Sequence, residues 1–221
     1  MSGRTRIKLC GFTRAEDIQA AVAAGVDALG MIFFSKSQRA VTIAQAQALR
    51  QQIPAFVDLV ALFVNPDPAY VQEVIEAVSP DLLQFHGNES PQDCERYGKR
   101  YIRAFRVGSP GLDTREDVLA ECREYASASA WLFDSHSAAY GGSGHGFDHS
   151  LLASVVTASD ARPMILAGGL TPENVGDGIR RLRPYAVDVS TGIEVSPGVK
   201  SPEKIDAFVR AVQLETQKLN D

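Results

Sequence analysis

The sequence predicts an α/β fold, a (β/α)8 or TIM barrel with its active site at the C-terminal ends of the strands. Three observations predict it. Short apolar runs alternate with amphipathic stretches from end to end, eight of each. The apolar runs scarcely alternate with polar residues, as expected of parallel strands covered on both faces. No Gly/Ser linker or change of composition divides the 221 residues, so one domain over residues 1–221 is expected. A doubly wound open sheet is the competing architecture.

The first strand is read over Ile7 to Cys10, and Thr13-Arg14-Ala15-Glu16 opens the following helix as a capping box. The second strand spans Ala28 to Phe34, with Thr42 as cap of its helix. Leu59 to Val64 and Leu82 to His86 are the third and fourth strands; Asp67-Pro68 and Ser90-Pro91 start their helices with Pro at the first helical position. Arg100 to Val107 is the fifth, followed by a helix from Asp113 or Thr114. Trp131 to Asp134 precedes a long glycine-containing segment and a helix over Phe147 to Ala158. Met164 to Ala167 and Ala186 to Ser190 complete the set, with helices opening at Thr171-Pro172 and Ser201-Pro202. No solenoid-type repeat is present.

Lysines and arginines number 22 against 27 acids, a net charge of -5 that argues against nucleic acid as the main partner. Cys10, Cys94 and Cys122 have neither metal-ligand spacing nor an even disulfide count, so a reducing cytoplasm and no bound metal are expected. The segment Met1 to Arg6 carries no long apolar run, and no run elsewhere reaches the ~18 residues of a membrane span. A signal peptide and a membrane partner are therefore not expected. No helical stretch shows an apolar stripe left for a partner, which favours a monomer over a homodimer.

Side chains in barrel strands alternate between the interior and the helix layer. A charged strand residue is expected to face the interior or its mouth, because the helix side is dry. That parity turns Lys8 and Cys10 inward on the first strand, and Asp188 and Ser190 on the last. It also turns Leu82, Gln84 and His86 inward, with Leu132 and Asp134 on the sixth strand. Closure makes the first and last strands neighbours, so Lys8 and Asp188 are expected to pair beneath Cys10. An ammonium there favours the thiolate.

Glycines punctuate the ends of the last strands. Ala167-Gly168-Gly169-Leu170-Thr171-Pro172 and Ser190-Thr191-Gly192 follow the seventh and eighth, where barrels often hold a phosphate on bare backbone N–H groups. A third cluster, Tyr140 to Gly146, follows Asp134 and suits a lid over a small-molecule substrate.

Seven motifs, each at a strand end, then identify the chain as similar to the phosphoribosylanthranilate isomerases over nearly its whole length. They are Lys8 to Thr13, Gly25 to Gly30 running on through Ser35 to Arg39, Leu83 to Gly87, Phe133-Asp134-Ser135, Gly141 to Gly144, Leu166 to Leu170 and Val187 to Glu194. The chain departs from the family in Leu9 for isoleucine, in Thr191 where serine is common, and in Ser35 and Gln38 where prolines often flank the arginine.

The resemblance implies a cofactor-free Amadori rearrangement of N-(5-phosphoribosyl)anthranilate to 1-(o-carboxyphenylamino)-1-deoxyribulose 5-phosphate, in tryptophan biosynthesis. It implies Asp134 as general acid on the ribose ring oxygen and Cys10 as general base for the C2 proton. Arg39 would fork onto the anthranilate carboxylate. Gln84 and Asp188 would line the substrate, with Asp188 also the partner of Lys8. Gly142, Ser143, Gly168, Gly169, Ser190, Thr191 and Gly192 would bind the phosphate. Cys94 and Cys122 read as structural, His136 and His145 as loop residues, and His86 stays unassigned. The alternatives are another sugar-phosphate isomerase or epimerase on the same barrel, and a ligand-binding barrel without catalysis.

Overall fold

The computed structural model describes residues 4–135 and 147–221. Eight parallel strands close on themselves in sequence order: β1 (Arg6–Cys10), β2 (Ala28–Ile32), β3 (Asp58–Phe63), β4 (Leu82–Phe85), β5 (Tyr101–Val107), β6 (Ala130–Ser135), β7 (Met164–Leu166) and β8 (Ala186–Val189). Closure pairs β1 with β8 in the register Ile7↔Val187, Lys8↔Asp188 and Leu9↔Val189. The open-sheet alternative is thereby excluded. Outside the strands lie α1 (Ala15–Ala24), α2 (Ile43–Arg50), α3 (Pro68–Val78), α4 (Pro91–Glu95), α5 (Arg115–Glu124), α6 (Ala153–Thr157), α7 (Val175–Leu182) and α8 (Pro202–Asn220). No helix among the described residues is long and apolar enough to cross a membrane.

Two apolar layers follow from the alternation. Ile7, Leu9, Val187 and Val189 join the large cluster between strands and helices. Val60, Ile102, Ala104, Leu132, Ile165 and Ala186 fill the barrel interior. Above them Cys10 packs with Leu62 and Val64 at the mouth. The inward positions are those that parity predicts.

Caps fix most helix starts. Thr42 and Gln45 form a reciprocal capping box, while Asp67, Ser90, Thr114 and Ser201 each accept a backbone N–H of their helix. Three helix starts differ from expectation, one of them the stretch from Phe147, which opens as a 3-10 turn over His149–Leu152 so that α6 begins only at Ala153. The Thr13 hydroxyl donates to Gly198 O at 2.6 Å instead of capping, and α1 begins after Arg14 with no side-chain cap. A carbonyl brought in from the far end of the chain outcompetes the local amide. The stretch after Thr171 is a turn closed by Asn174, whose side chain accepts from Thr171 N at 2.8 Å and donates to Gly169 O at 2.9 Å. Pro172 sits in that turn, and α7 starts only at Val175.

Arg103 on β5 corrects the expectation that strand charges face the interior. It is 5% exposed in the helix layer, 2.7 Å from Glu89 Oε2 and with its guanidinium 4.6 Å from the Tyr125 ring centroid. Glu89 also accepts from the N–H groups of Asn65 and Gly87. A layer dry in aggregate thus carries one paired and hydrogen-bonded charge. Between β8 and α8 the chain adds a hairpin that no strand reading anticipated, β9 (Glu194–Ser196) and β10 (Val199–Lys200). Pro197-Gly198 between Val195 and Val199 is its signal in the sequence.

Candidate active site

The C-terminal ends of the strands surround an open cavity of about 840 Å³. Cys10, Arg39, Gln84, Asp134 and Asp188 line it, as do Gly168, Gly169, Ser190, Thr191 and Gly192. These expected site residues come from seven loops or strands scattered along the chain, and barrel closure brings them to one space. Gly142, Ser143, His136, His145 and the rest of the Tyr140 to Gly146 cluster lie outside the described residues.

Lys8 Nζ donates to Asp188 Oδ2 at 2.8 Å, both side chains being buried one layer beneath the thiol. Burial alone would pull the Lys8 ammonium down, but Asp188 and Cys10 outweigh it and hold it above the ordinary lysine value. The expected effect on Cys10 is corrected. Burial pushes the thiol up, and the lowering by Lys8 and Lys200 does not offset it. The lysine is in place, yet the cost of an anion in this apolar ring is larger. Burial also pushes Cys94 and Cys122 up, Cys94 up to about 12, in keeping with inert core thiols.

Asp134, at the end of β6, accepts from its neighbour Ser135 N at 2.8 Å through Oδ1 and faces His86 Nε2 at 3.3 Å through Oδ2. The other ring nitrogen of His86 lies 3.0 Å from Gln84 Nε2. With the amide donating there, a neutral ring carries its proton on Nε2, toward Asp134. Gln84 Oε1 and Asp188 Oδ1 are buried without a hydrogen-bond partner among the described residues and belong to side chains that line the cavity.

Glycine lets the backbone close in on this geometry at two points. Gly168 has φ +83°, and a Cβ there would stand 2.7 Å from Ser135 N. A Cβ on Gly192 would stand 2.0 Å from Leu170 O, so the turns after β7 and β8 touch only because position 192 is bare. Together they present main chain to one side of the cavity, an arrangement suited to an anion.

Arg39, on the loop between β2 and α2, is forked onto Glu194, with Nε 2.9 Å from Oε1 and Nη2 2.7 Å from Oε2. Lys200 Nζ reaches the same Oε1 at 2.8 Å. Neither Glu194 nor Lys200 received a role from the sequence, although Glu194 ends one of the matched motifs. Lys204, also on the cavity wall, was missed too. Among the described residues no group of three or more His, Cys, Asp or Glu side chains is arranged to hold a metal.

Comparison with known proteins gives a consistent result. The family model described as N-(5'phosphoribosyl)anthranilate (PRA) isomerase matches residues 7–211. The N-(5'-phosphoribosyl)anthranilate isomerase of Bordetella parapertussis is 58% identical over 210 residues, covering 95% of this chain and 96% of that protein. The crystal structure of the phosphoribosyl anthranilate isomerase from Thermotoga maritima superposes with a TM-score of 0.84 at 34% identity, over 95% of this chain and 98% of that one. A phosphoribosyl anthranilate isomerase crystallised in complex with reduced 1-(o-carboxyphenylamino)-1-deoxyribulose 5-phosphate has a TM-score of 0.82 at 32% identity, with the same coverage.

Proposed function

Because the chain belongs to the N-(5'-phosphoribosyl)anthranilate isomerase family, enzymes of tryptophan biosynthesis, we propose that its cavity performs the Amadori rearrangement with Asp134 as acid and Cys10 as base. The enzyme is an aldose–ketose isomerase acting on a small molecule, N-(5-phosphoribosyl)anthranilate. In this reading Asp134 gives its proton to the ribose ring oxygen as the C1–O bond breaks, leaving an iminium at C1. The Cys10 thiolate then takes the C2 proton, and the C–H electron pair flows into an enolamine. Tautomerisation places one proton on C1 and releases one from the C2 hydroxyl, which restores both side chains. The reaction so written uses no cofactor, and every residue it invokes comes from one chain.

Arg39 takes the anthranilate carboxylate, a planar anion that its remaining Nη edge matches. Gly168, Gly169, Ser190, Thr191 and Gly192, with Gly142 and Ser143, take the phosphate. Gln84 and Asp188 line the sugar, each offering a buried oxygen without a partner among the described residues. Those two acceptors suit the ribose hydroxyls. Such an enzyme acts in the cytoplasm, where its three free cysteines persist.

The observation that carries the reading is that a thiol on β1 and a carboxylate on β6 line one cavity, with an ordered arginine at its rim. Loss of anthranilate fluorescence as the substrate is consumed tests it. Cys10→Ser and Asp134→Asn are each expected to lower kcat by about 10²–10⁴-fold, the usual weight of a general acid or base. No loss of fluorescence with the intact protein, or full activity in either variant, would overturn it.

A further inference from the structure

We propose that Glu194 and Lys200, cross-strand partners in the β9–β10 hairpin, are positioning residues that set the guanidinium of Arg39 relative to Cys10. The inference rests on the reading of Arg39 as holder of the anthranilate carboxylate. It assigns a task to a hairpin that the catalytic steps leave unused.

The contacts converge on one carboxylate. Glu194 is 6% exposed and takes both the Nε and Nη2 of Arg39, together with Lys200 Nζ and, at 3.2 Å, Gly198 N. Lys200, its side chain sealed from solvent, also donates to Cys10 O at 2.5 Å and Ser190 O at 3.3 Å. One buried ammonium thus links the main chain beneath the base, the turn after β8 and the partner of the arginine. The hairpin is itself latched to the first loop through Thr13 Oγ1 to Gly198 O at 2.6 Å, and to α1 through Lys200 N to Asp17 Oδ2 at 3.0 Å. Arg39 comes close enough that a Cβ on Gly11, the residue after Cys10, would stand 2.6 Å from its Cδ.

Chemistry explains why the partner is a carboxylate. A guanidinium offers donors along two edges, and Glu194 occupies the Nε–Nη2 edge. The edge bearing Nη1 is left for a second planar anion in a single orientation. A glutamine at 194 would turn an NH2 toward Arg39 in either orientation, and in one of them toward Lys200 as well; both are pure donors, and the fork would open. Burial alone would raise the Glu194 carboxyl, but Arg39 and Lys200 outweigh it and hold it below the ordinary glutamate range.

The test is steady-state kinetics on the intact protein, Glu194→Gln, Arg39→Ala and the double variant. Glu194→Gln is expected to raise KM for phosphoribosylanthranilate by about 10- to 100-fold, the scale of a misplaced binding group, with a smaller change in kcat. In the Arg39→Ala background it is expected to add nothing further. Competitive inhibition by inorganic phosphate should be unchanged. An unchanged KM in Glu194→Gln, or the same rise with and without Arg39, overturns the proposal. If Glu194→Gln does not fold, Glu194→Asp serves: a smaller KM rise with phosphate inhibition intact supports the positioning role, and equal weakening of both overturns it. Arg39→Ala with the KM of the unaltered chain would instead sink the assignment of Arg39 itself.

Discussion

A Cβ placed on Gly30 of β2 would stand 2.6 Å from Sγ of Cys10 on β1, so the thiol occupies the space that a side chain at position 30 would take. The two residues are register partners across adjacent strands, both facing the barrel mouth. The position of the proposed base is therefore set by its neighbour's lack of a side chain.

Gly30→Ala is expected to push Sγ off its rotamer, since the new methyl also meets the Cys10 main chain at 3.2 Å. Overpacking of this kind costs about 1–3 kcal/mol of stability. A displacement near 1 Å lowers kcat by about 100-fold. Thermal melts and fluorescence turnover measure the two effects separately. A folded Gly30→Ala protein with full kcat would show that the thiol position does not matter.

The midpoint of the rise in Cys10 reactivity with pH should lie above the ordinary thiol value, because burial raises the thiol and a base must first lose its proton. Lys8 opposes that effect of burial. Lys8→Met is therefore expected to move the ascending limb of iodoacetamide labelling, and of kcat/KM, to still higher pH. It also leaves Asp188 buried without its cation, at a cost of about 3–5 kcal/mol. A limb that stays put or moves down would mean that the lysine does not act on the thiol.

Gly192→Ala forces the turns after β7 and β8 apart, since Leu170 O lies only 2.0 Å from the added carbon. If those turns hold phosphate, inhibition by inorganic phosphate weakens and substrate KM rises, each by about 10-fold or more. Unaltered phosphate inhibition in the folded variant would remove the turns from the phosphate site.

Arg103→Met removes the cation from Glu89 in the helix layer and should cost about 3–5 kcal/mol, with little change in KM because the pair lies away from the catalytic cavity. Arg103→Met/Glu89→Met should recover part of the loss. Denaturant melts on the three proteins decide this; a double variant less stable than the single would refute it.

Glu194 links stability to acid. Its folded-state value lies below the ordinary 4.5, so above that pH the carboxylate is ionised in both states and its ion pairs count in full. As pH falls below 4.5 the unfolded chain takes up the proton first, and stability declines until the folded value is passed. Urea melts at successive pH values should show this decline, and Glu194→Gln should lack that part of it.

The architecture and much of the site were legible because barrel closure turns a local rule into a long-range one. Alternation of side chains places Lys8 and Asp188 inward on their own strands, and joining the first strand to the last makes them partners at 2.8 Å. The same parity brings Cys10, Gln84 and Asp134 to one mouth. Local helix caps at Thr42, Asp67, Ser90 and Thr114 were readable for a simpler reason: donor and acceptor lie within three residues.

What tertiary structure alone decided are the contests between groups far apart in the chain. Thr13 had a local amide to cap and took the Gly198 carbonyl. Arg103 belonged by pattern to the interior and found Glu89 in the helix layer. Arg39 reads from the sequence as a loop cation for a substrate carboxylate, with no partner in the chain assigned, and is held by Glu194, itself braced by Lys200. In Cys10 two opposing effects meet, a nearby ammonium that the sequence placed and a burial that it did not. Their balance depends on how completely the folded chain removes water from the thiol, and that desolvation is the larger.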